Sequence, residues 1–309
     1  MSSLLHLALT QGDPDGIGPE ILVKSLVACA ADFATAPVVT PIVLGERDLL
    51  VATAERLSLP LDAQLAPAPE SGRAATLWAL EEACRRANDG RVHGIVTAPI
   101  HKADLEKLGF AFPGHTEFLA DRLGAGTPTM MLAGDSLRVA LVTTHLRLSE
   151  VPAAVTFDSV AATLRRVDHG LRTWFGIDAP RIGVLGLNPH AGEDGLFGSE
   201  EQEHIAPAVA ACRAAGINCE GPLAGDGTFA PHARRRFDGI VAMYHDQGLA
   251  ALKAVEGGRA VNLTLGLPVP RTSPDHGTAR DLVGTGRADP ASMIAAIRLA
   301  LRAVRSTPP

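Results

Sequence analysis

The chain has 309 residues, 46% of them hydrophobic but only 4% aromatic, and 28 basic against 34 acidic side chains leave a formal charge of −6. That length exceeds the roughly 250 residues at which single cores stop growing, so two domains with aliphatic cores are expected. The composition excludes a disordered chain, the acidic balance argues against nucleic acid as the main partner, and no apolar run reaches the roughly 18 residues of a membrane span.

The first strand is LLHLALT, residues 4–10. No basic leader precedes it, so it reads as a strand rather than a signal peptide. A Gly/Pro turn leads to the helix PEILVKSLVACA, with Pro19 in its first turn. VVTPIVLG is the second strand, and residues 74–89 are a helix that stops near Asn88-Asp89-Gly90. Ala66 to Gly72 reads as a surface loop. HGIVTAPI is the third strand, and TEFLADRLGAG is a short helix with Thr116 as its expected N-cap. TPTMMLAGDSLRVALVTTHL forms a hairpin around Gly134-Asp135-Ser136. Helices follow at SVAATLRRVDHGLRTWFG, at residues 200–215 and at ASMIAAIRLALRAVR. This alternation predicts α/β layers with mostly parallel sheets. The cysteines Cys29, Cys84, Cys212 and Cys219 form no CxxC pair. They read as thiols of a reducing, cytoplasmic compartment.

Three of these stretches end alike. VALVTTHLRL, RIGVLGLNPHAGE and FDGIVAMYHDQG run through apolar residues and deliver His145, His190 and His245. In open parallel sheets ligands bind at the carboxyl ends of the strands. Three imidazoles there are neutral nitrogen donors suited to a divalent metal such as zinc or cobalt, with positions left for a substrate.

Two glycine-rich segments stand out. GDPDGIGPE, residues 12–20, follows a strand and opens a helix, as a phosphate-approaching turn does, yet it is neither G-x-G-x-x-G nor a Walker loop. Gly12 and Gly16 are its candidate cofactor contacts. In DHGTARDLVGTGRADPASM, residues 275–293, Gly277 and Gly284 let backbone approach a flat ligand, His276 can stack, and Asp281 can accept from a ribose hydroxyl. The other reading of that segment is a helix followed by a glycine-rich turn. Lys253 after the HDQG turn, Asn262 in the strand-like AVNLTLG and Arg271 after PVP form a candidate phosphate or carboxylate site. His115 and Thr116 stand at a helix start, where backbone NH groups favour an anion.

Taken together, GDPDGIGPE, TAPIHK, PGHTEF, VTTHLRL, GLNPHAGE, AMYHDQG, VNLTLGLP and RTSPDHGTA resemble the 4-hydroxythreonine-4-phosphate dehydrogenase (PdxA) family over essentially the whole chain. GDPDGIGPE and HGTARDLVGTGRADP are also similar to segments of isopropylmalate and isocitrate dehydrogenases. The resemblance implies two α/β/α domains of that dehydrogenase type with an active-site cleft between them. The expected division is residues 1–125 with 262–309, carrying the cofactor loops, and residues 126–261, carrying metal ligands and dimer contacts.

The resemblance further implies that His145, His190 and His245 hold a divalent metal (zinc, cobalt or magnesium), with ligands from both chains of a homodimer. It assigns His115, Thr116, Lys253, Asn262 and Arg271 to a phosphorylated substrate, and NAD or NADP to the glycine-rich loops. Asp226 stands where the family carries an active-site aspartate, followed here by Gly227 where the commoner pattern has threonine. The implied reaction oxidises 4-(phosphooxy)-L-threonine to 2-amino-3-oxo-4-(phosphooxy)butanoate, which loses carbon dioxide to give 3-amino-2-oxopropyl phosphate in pyridoxal 5′-phosphate biosynthesis. His115 and Asp226 are the candidate bases, with Lys102 assisting. Alternative readings are a dehydrogenase of phosphothreonate, phosphoerythronate or an aromatic cis-dihydrodiol, a zinc-dependent hydrolase, and a metal-dependent metabolite sensor.

Overall fold

The computed structural model describes residues 4–307. Its strands run in chain order β1 (Leu5–Thr10), β2 (Val39–Gly45), β3 (Gln64–Pro67), β4 (Gly94–Thr97), β5 (Thr129–Ala133), β6 (Arg138–Leu141), β7 (Ile182–Leu185), β8 (Cys219–Leu223), β9 (Gly239–Ala242), β10 (Val261–Leu265) and β11 (Arg271–Pro274). The described residues form two units, residues 4–128 with 261–307, and residues 129–260.

In the first unit the strand order is β3-β2-β1-β4-β11-β10. All neighbours are parallel except the antiparallel hairpin β10–β11. Adjacent residues of β1 point to opposite faces, yet Leu7, Ala8 and Leu9 are all fully buried. Both faces are therefore covered, as parallel sheets require. The helix Ala291–Ser306 buries Met293, Ala296, Ile297, Ala300, Leu301 and Val304, a helical-period stripe. Its Ala296 carbonyl accepts from Thr272 Oγ1 at 2.9 Å, which seats β11.

In the second unit the order is β5-β6-β9-β7-β8, with only β5–β6 antiparallel. The helix Phe157–Thr173 starts with a capping box in which Thr156 and Ser159 exchange hydrogen bonds. The expected β5–β6 hairpin is present. Its turn is held by the buried Glu256 carboxylate, which accepts from Asp135 N, Ser136 N and Ser136 Oγ.

Several expectations change. Ala66 and Pro67 belong to β3, and β8 carries Pro222. Each lies at the end of its strand order, where a proline breaks no ladder on its open side. The helix Arg47–Leu57 also escapes the sequence reading. Thr116 is not an N-cap: the helix His115–Arg122 starts after Gly114, with no side-chain cap, and Thr116 lies inside its first turn. HDQG is not a turn preceding Lys253. It is the first turn of the helix His245–Glu256, which contains Lys253. Segment 275–293 holds a single 3-10 turn, Arg280–Leu282, before the terminal helix, so its glycines serve loop backbone.

Candidate active site

In the first unit a polar cluster is built on the β10–β11 hairpin. Asn262 pairs with Ser273 and Thr264 with Arg271 across the ladder, so all four side chains share one face. Arg271 is only 2% exposed. Its Nη1 donates to Thr264 Oγ1 at 3.2 Å and its Nη2 to Thr97 Oγ1 at 2.6 Å, while its Nε is buried with no partner. Burial pushes the guanidinium down to about 10, partly offset by Glu117, so it stays cationic at neutral pH. A buried cation bonded only to hydroxyls is under-compensated, and an anion is what such a site binds.

His115 belongs to the same cluster. Its burial, and then the charge of Arg271, push its pKa well below the ordinary 6.5. The ring is therefore neutral at pH 7, and its Nε2 is buried without a partner. Asn262 Oδ1 is buried and unpartnered as well. Thr116 follows His115 in the helix and is partly buried. Polar atoms buried without partners in one place signal a missing ligand.

The two glycine-rich segments meet within this unit. Ile17 N donates to Thr278 O at 2.9 Å, and a Cβ on Gly16 would lie 2.9 Å from Thr278 Cβ. Gly12 adopts φ +77°, and a Cβ there would sit 2.5 Å from Pro99 O, so only glycine fits. Arg280 locks the contact, donating from Nε to Asp13 Oδ2 at 2.9 Å and from Nη2 to Asp104 Oδ2 at 2.6 Å. Asp104 also pairs with Lys107 and Arg73. These cations, Arg280 first, hold its carboxyl well below the usual range. His276 Nδ1 lies 2.9 Å from Gly277 O while its Nε2 is buried and unpartnered. Asp281 and Gly284 are exposed. Lys102 begins the helix Lys102–Glu106, pairs with Glu106 at 3.9 Å, and lines a cavity of about 420 Å³ with Phe110 and Phe112.

In the second unit the three histidines do follow strand ends, but they divide between two cavities. His145, after β6, and His245, at the helix start after β9, share one of about 540 Å³, with ring centroids 5.7 Å apart. His190 and Asp226 share another of about 540 Å³. Tyr244 lines both. Among the described residues no group of three His, Cys, Asp or Glu is gathered for a metal. His245 Nδ1 lies 2.7 Å from Asp246 Oδ1, a contact that leaves Nε2 as the donor atom. Asp226 is exposed, its Oδ1 accepting from Gly227 N.

His190 sits on unusual backbone. Residues His190, Ala191, Gly192, Glu193 and Asp194 all have positive φ, between 40° and 81°. Each non-glycine residue there costs roughly 1–2 kcal/mol, so the run persists only because its surroundings hold it. Glu201, missed by the sequence reading, is one support. It is 3% exposed and accepts from Leu187 N at 2.6 Å, Asn188 N at 2.7 Å and Asn188 Nδ2 at 3.0 Å. Burial pushes its carboxyl up, but these bonds prevail and leave it below its ordinary value. Gln247 is another, accepting from Met243 N and donating to Gly186 O, both at 2.7 Å. An acidic residue shortly after the glycine-rich NPHAGEDG, and a glutamine two residues after His245, were the available signals.

Comparison with known proteins extends this geometry. The family described as "Pyridoxal phosphate biosynthetic protein PdxA" matches residues 37–300. A 4-hydroxythreonine-4-phosphate dehydrogenase of Thioalkalivibrio sulfidiphilus is 43% identical, over 99% of this chain and 99% of that protein. The crystal structure of the enzyme of that name from Klebsiella pneumoniae superposes with TM-score 0.86 at 36% identity, over 97% of this chain and 99% of its own. A terephthalate 1,2-cis-dihydrodiol dehydrogenase from Burkholderia xenovorans gives TM-score 0.71 at 29% identity, over 97% and 98% of the two chains. A β-decarboxylating dehydrogenase of Thermococcus kodakarensis, TM-score 0.51 at 16% identity over 97% and 87%, shares the fold alone.

Proposed function

The chain belongs to the family of the pyridoxal phosphate biosynthetic protein PdxA, and from that premise we propose that it is a nicotinamide-dependent 4-hydroxythreonine-4-phosphate dehydrogenase. The substrate is 4-(phosphooxy)-L-threonine. Its C3 hydride passes to NAD or NADP and its hydroxyl proton to a base. The 2-amino-3-oxo-4-(phosphooxy)butanoate so formed carries a carboxylate β to a carbonyl, and loss of carbon dioxide leaves 3-amino-2-oxopropyl phosphate.

The observation that carries this reading is Arg271, a buried cation with only hydroxyl partners beside a neutral His115. Arg271 binds the phosphate, joined by Asn262 and Thr116, and fixes the reacting carbon. A neutral imidazole with an unpartnered buried Nε2 can accept the hydroxyl proton, which makes His115 the favoured base over Asp226. The segments around Gly12, Gly16 and His276 to Gly284 hold the cofactor.

His145, His190 and His245 fit a divalent metal by donor type, and Asp246 sets the donor atom of His245. A bound metal supplies Lewis-acid polarisation of the substrate hydroxyl. Because one chain divides these histidines between two cavities, the proposal includes a homodimer whose chains share the ligands. The four free thiols, all buried, accord with a cytoplasmic enzyme.

One neighbour favours a second reading. The dihydrodiol dehydrogenase is 29% identical, and its named substrate carries no phosphate. A substrate panel with NAD decides: absorbance of NADH should rise with 4-(phosphooxy)-L-threonine. Turnover only with a dihydrodiol would refute the proposal.

A further inference from the structure

We propose that Glu201 is a positioning residue for His190, holding the left-handed loop that presents this imidazole. The inference rests on the reading of His190 as a metal ligand. The carboxylate lies under the root of the loop rather than in contact with the histidine. One oxygen takes both consecutive backbone NH groups, of Leu187 and Asn188, and the other takes the Asn188 side chain.

The loop is shaped around this group. A Cβ on Gly192 would lie 2.7 Å from Glu201 Oε2, and one on Gly186 would lie 2.7 Å from Ala191 Cα and 3.0 Å from Glu201 Oε1. Among the described residues no cation hydrogen-bonds to Glu201. A buried carboxylate that takes three NH donors from the root of one loop helps specify the conformation of that loop. Gln247 closes the other side through Gly186 O and Met243 N, and so ties the root of the His190 loop to the backbone just before His245. Without Glu201 two part-buried NH groups lose their acceptor, and the positive-φ run can relax into ordinary backbone, carrying His190 away.

The test uses full-length apo protein with cobalt(II) as probe. Wild type, Glu201→Gln, Glu201→Ala and His190→Ala are compared by calorimetric titration. Hydrogen exchange is followed at residues 186–195. Losing such an outer partner costs about 10- to 100-fold in metal affinity. Glu201→Ala should show that loss, together with faster exchange confined to this loop. Glu201→Gln keeps one acceptor oxygen and should fall between Ala and wild type. Unchanged cobalt affinity in Glu201→Ala, while His190→Ala loses it, would overturn the inference. So would faster exchange across the whole second unit, because Glu201 would then support the unit at large. If His190→Ala itself binds cobalt like wild type, the metal reading fails, and the positioning role falls with it. Glu201→Gln tolerates the site best, so it supplies the affinity comparison if Glu201→Ala does not fold.

Discussion

Replacing Arg271 with methionine should cost catalysis and not stability. Methionine roughly preserves length and apolar volume while removing the charge. In the folded protein Arg271 is 2% exposed and makes two hydrogen bonds, both to threonine hydroxyls. Each such bond is worth about 1 kcal/mol net. Against that stands the penalty of an inadequately paired buried cation, several kcal/mol. The variant's melting temperature should therefore hold or rise. Catalysis should behave oppositely. A charge-assisted contact to phosphate is worth about 1.5–3 kcal/mol, and about 1.4 kcal/mol is tenfold. kcat/KM for 4-(phosphooxy)-L-threonine should therefore drop roughly 10- to 150-fold. The dephosphorylated amino acid, already a poor substrate, should lose far less. Steady-state NADH formation on both compounds, with a thermal melt of each protein, checks this. Equal losses on the two substrates, or a melt lowered by many degrees, would show that Arg271 serves the fold and would revive the diol reading.

Three further outcomes follow from the same geometry. His190→Ala should lose bound metal and turnover together; wild-type metal content by elemental analysis would remove His190 from the ligand set. Gly284 has φ +78°, so Gly284→Val strains an exposed loop by about 1–2 kcal/mol and should raise KM for NAD more than KM for substrate. If neither constant moves in a folded variant, that loop does not hold the cofactor. On the acid side, hydrogen bonds from Ser136, Asp135 and Leu137 overcome the upward push of burial and hold the Glu256 carboxyl below its ordinary 4.5. A depressed carboxyl contributes stability that is present above the unfolded value and lost as pH falls through the folded one. Wild type should thus lose melting temperature below about pH 4.5, and Glu256→Gln should flatten that slope; parallel curves for the two proteins would contradict it.

Sequence alone was enough for whatever depends on local order. Apolar runs closed by glycine or proline located the main strands, because a strand buried on both faces must be apolar throughout. The placement of His145, His190 and His245 after strands was legible for the same reason, and the matched motifs pointed to the family. Features set by neighbours in space were not. β3 and β8 carry prolines that argue against a strand until their edge position is known. Thr116 has the chemistry of a cap, but the backbone caps its helix two residues earlier, at Gly114. In the sequence Arg271 is one candidate anion contact among several; packing on the β10–β11 hairpin makes it a buried cation whose hydrogen bonds go to threonine hydroxyls. Glu201 and Gln247 hold His190's loop through backbone groups 13 to 61 residues away. The division of three similar histidines between two cavities is likewise a tertiary outcome. A side chain's local sequence sets its chemistry, but desolvation and partners come from segments brought together only by folding, and they decide what that chemistry can do.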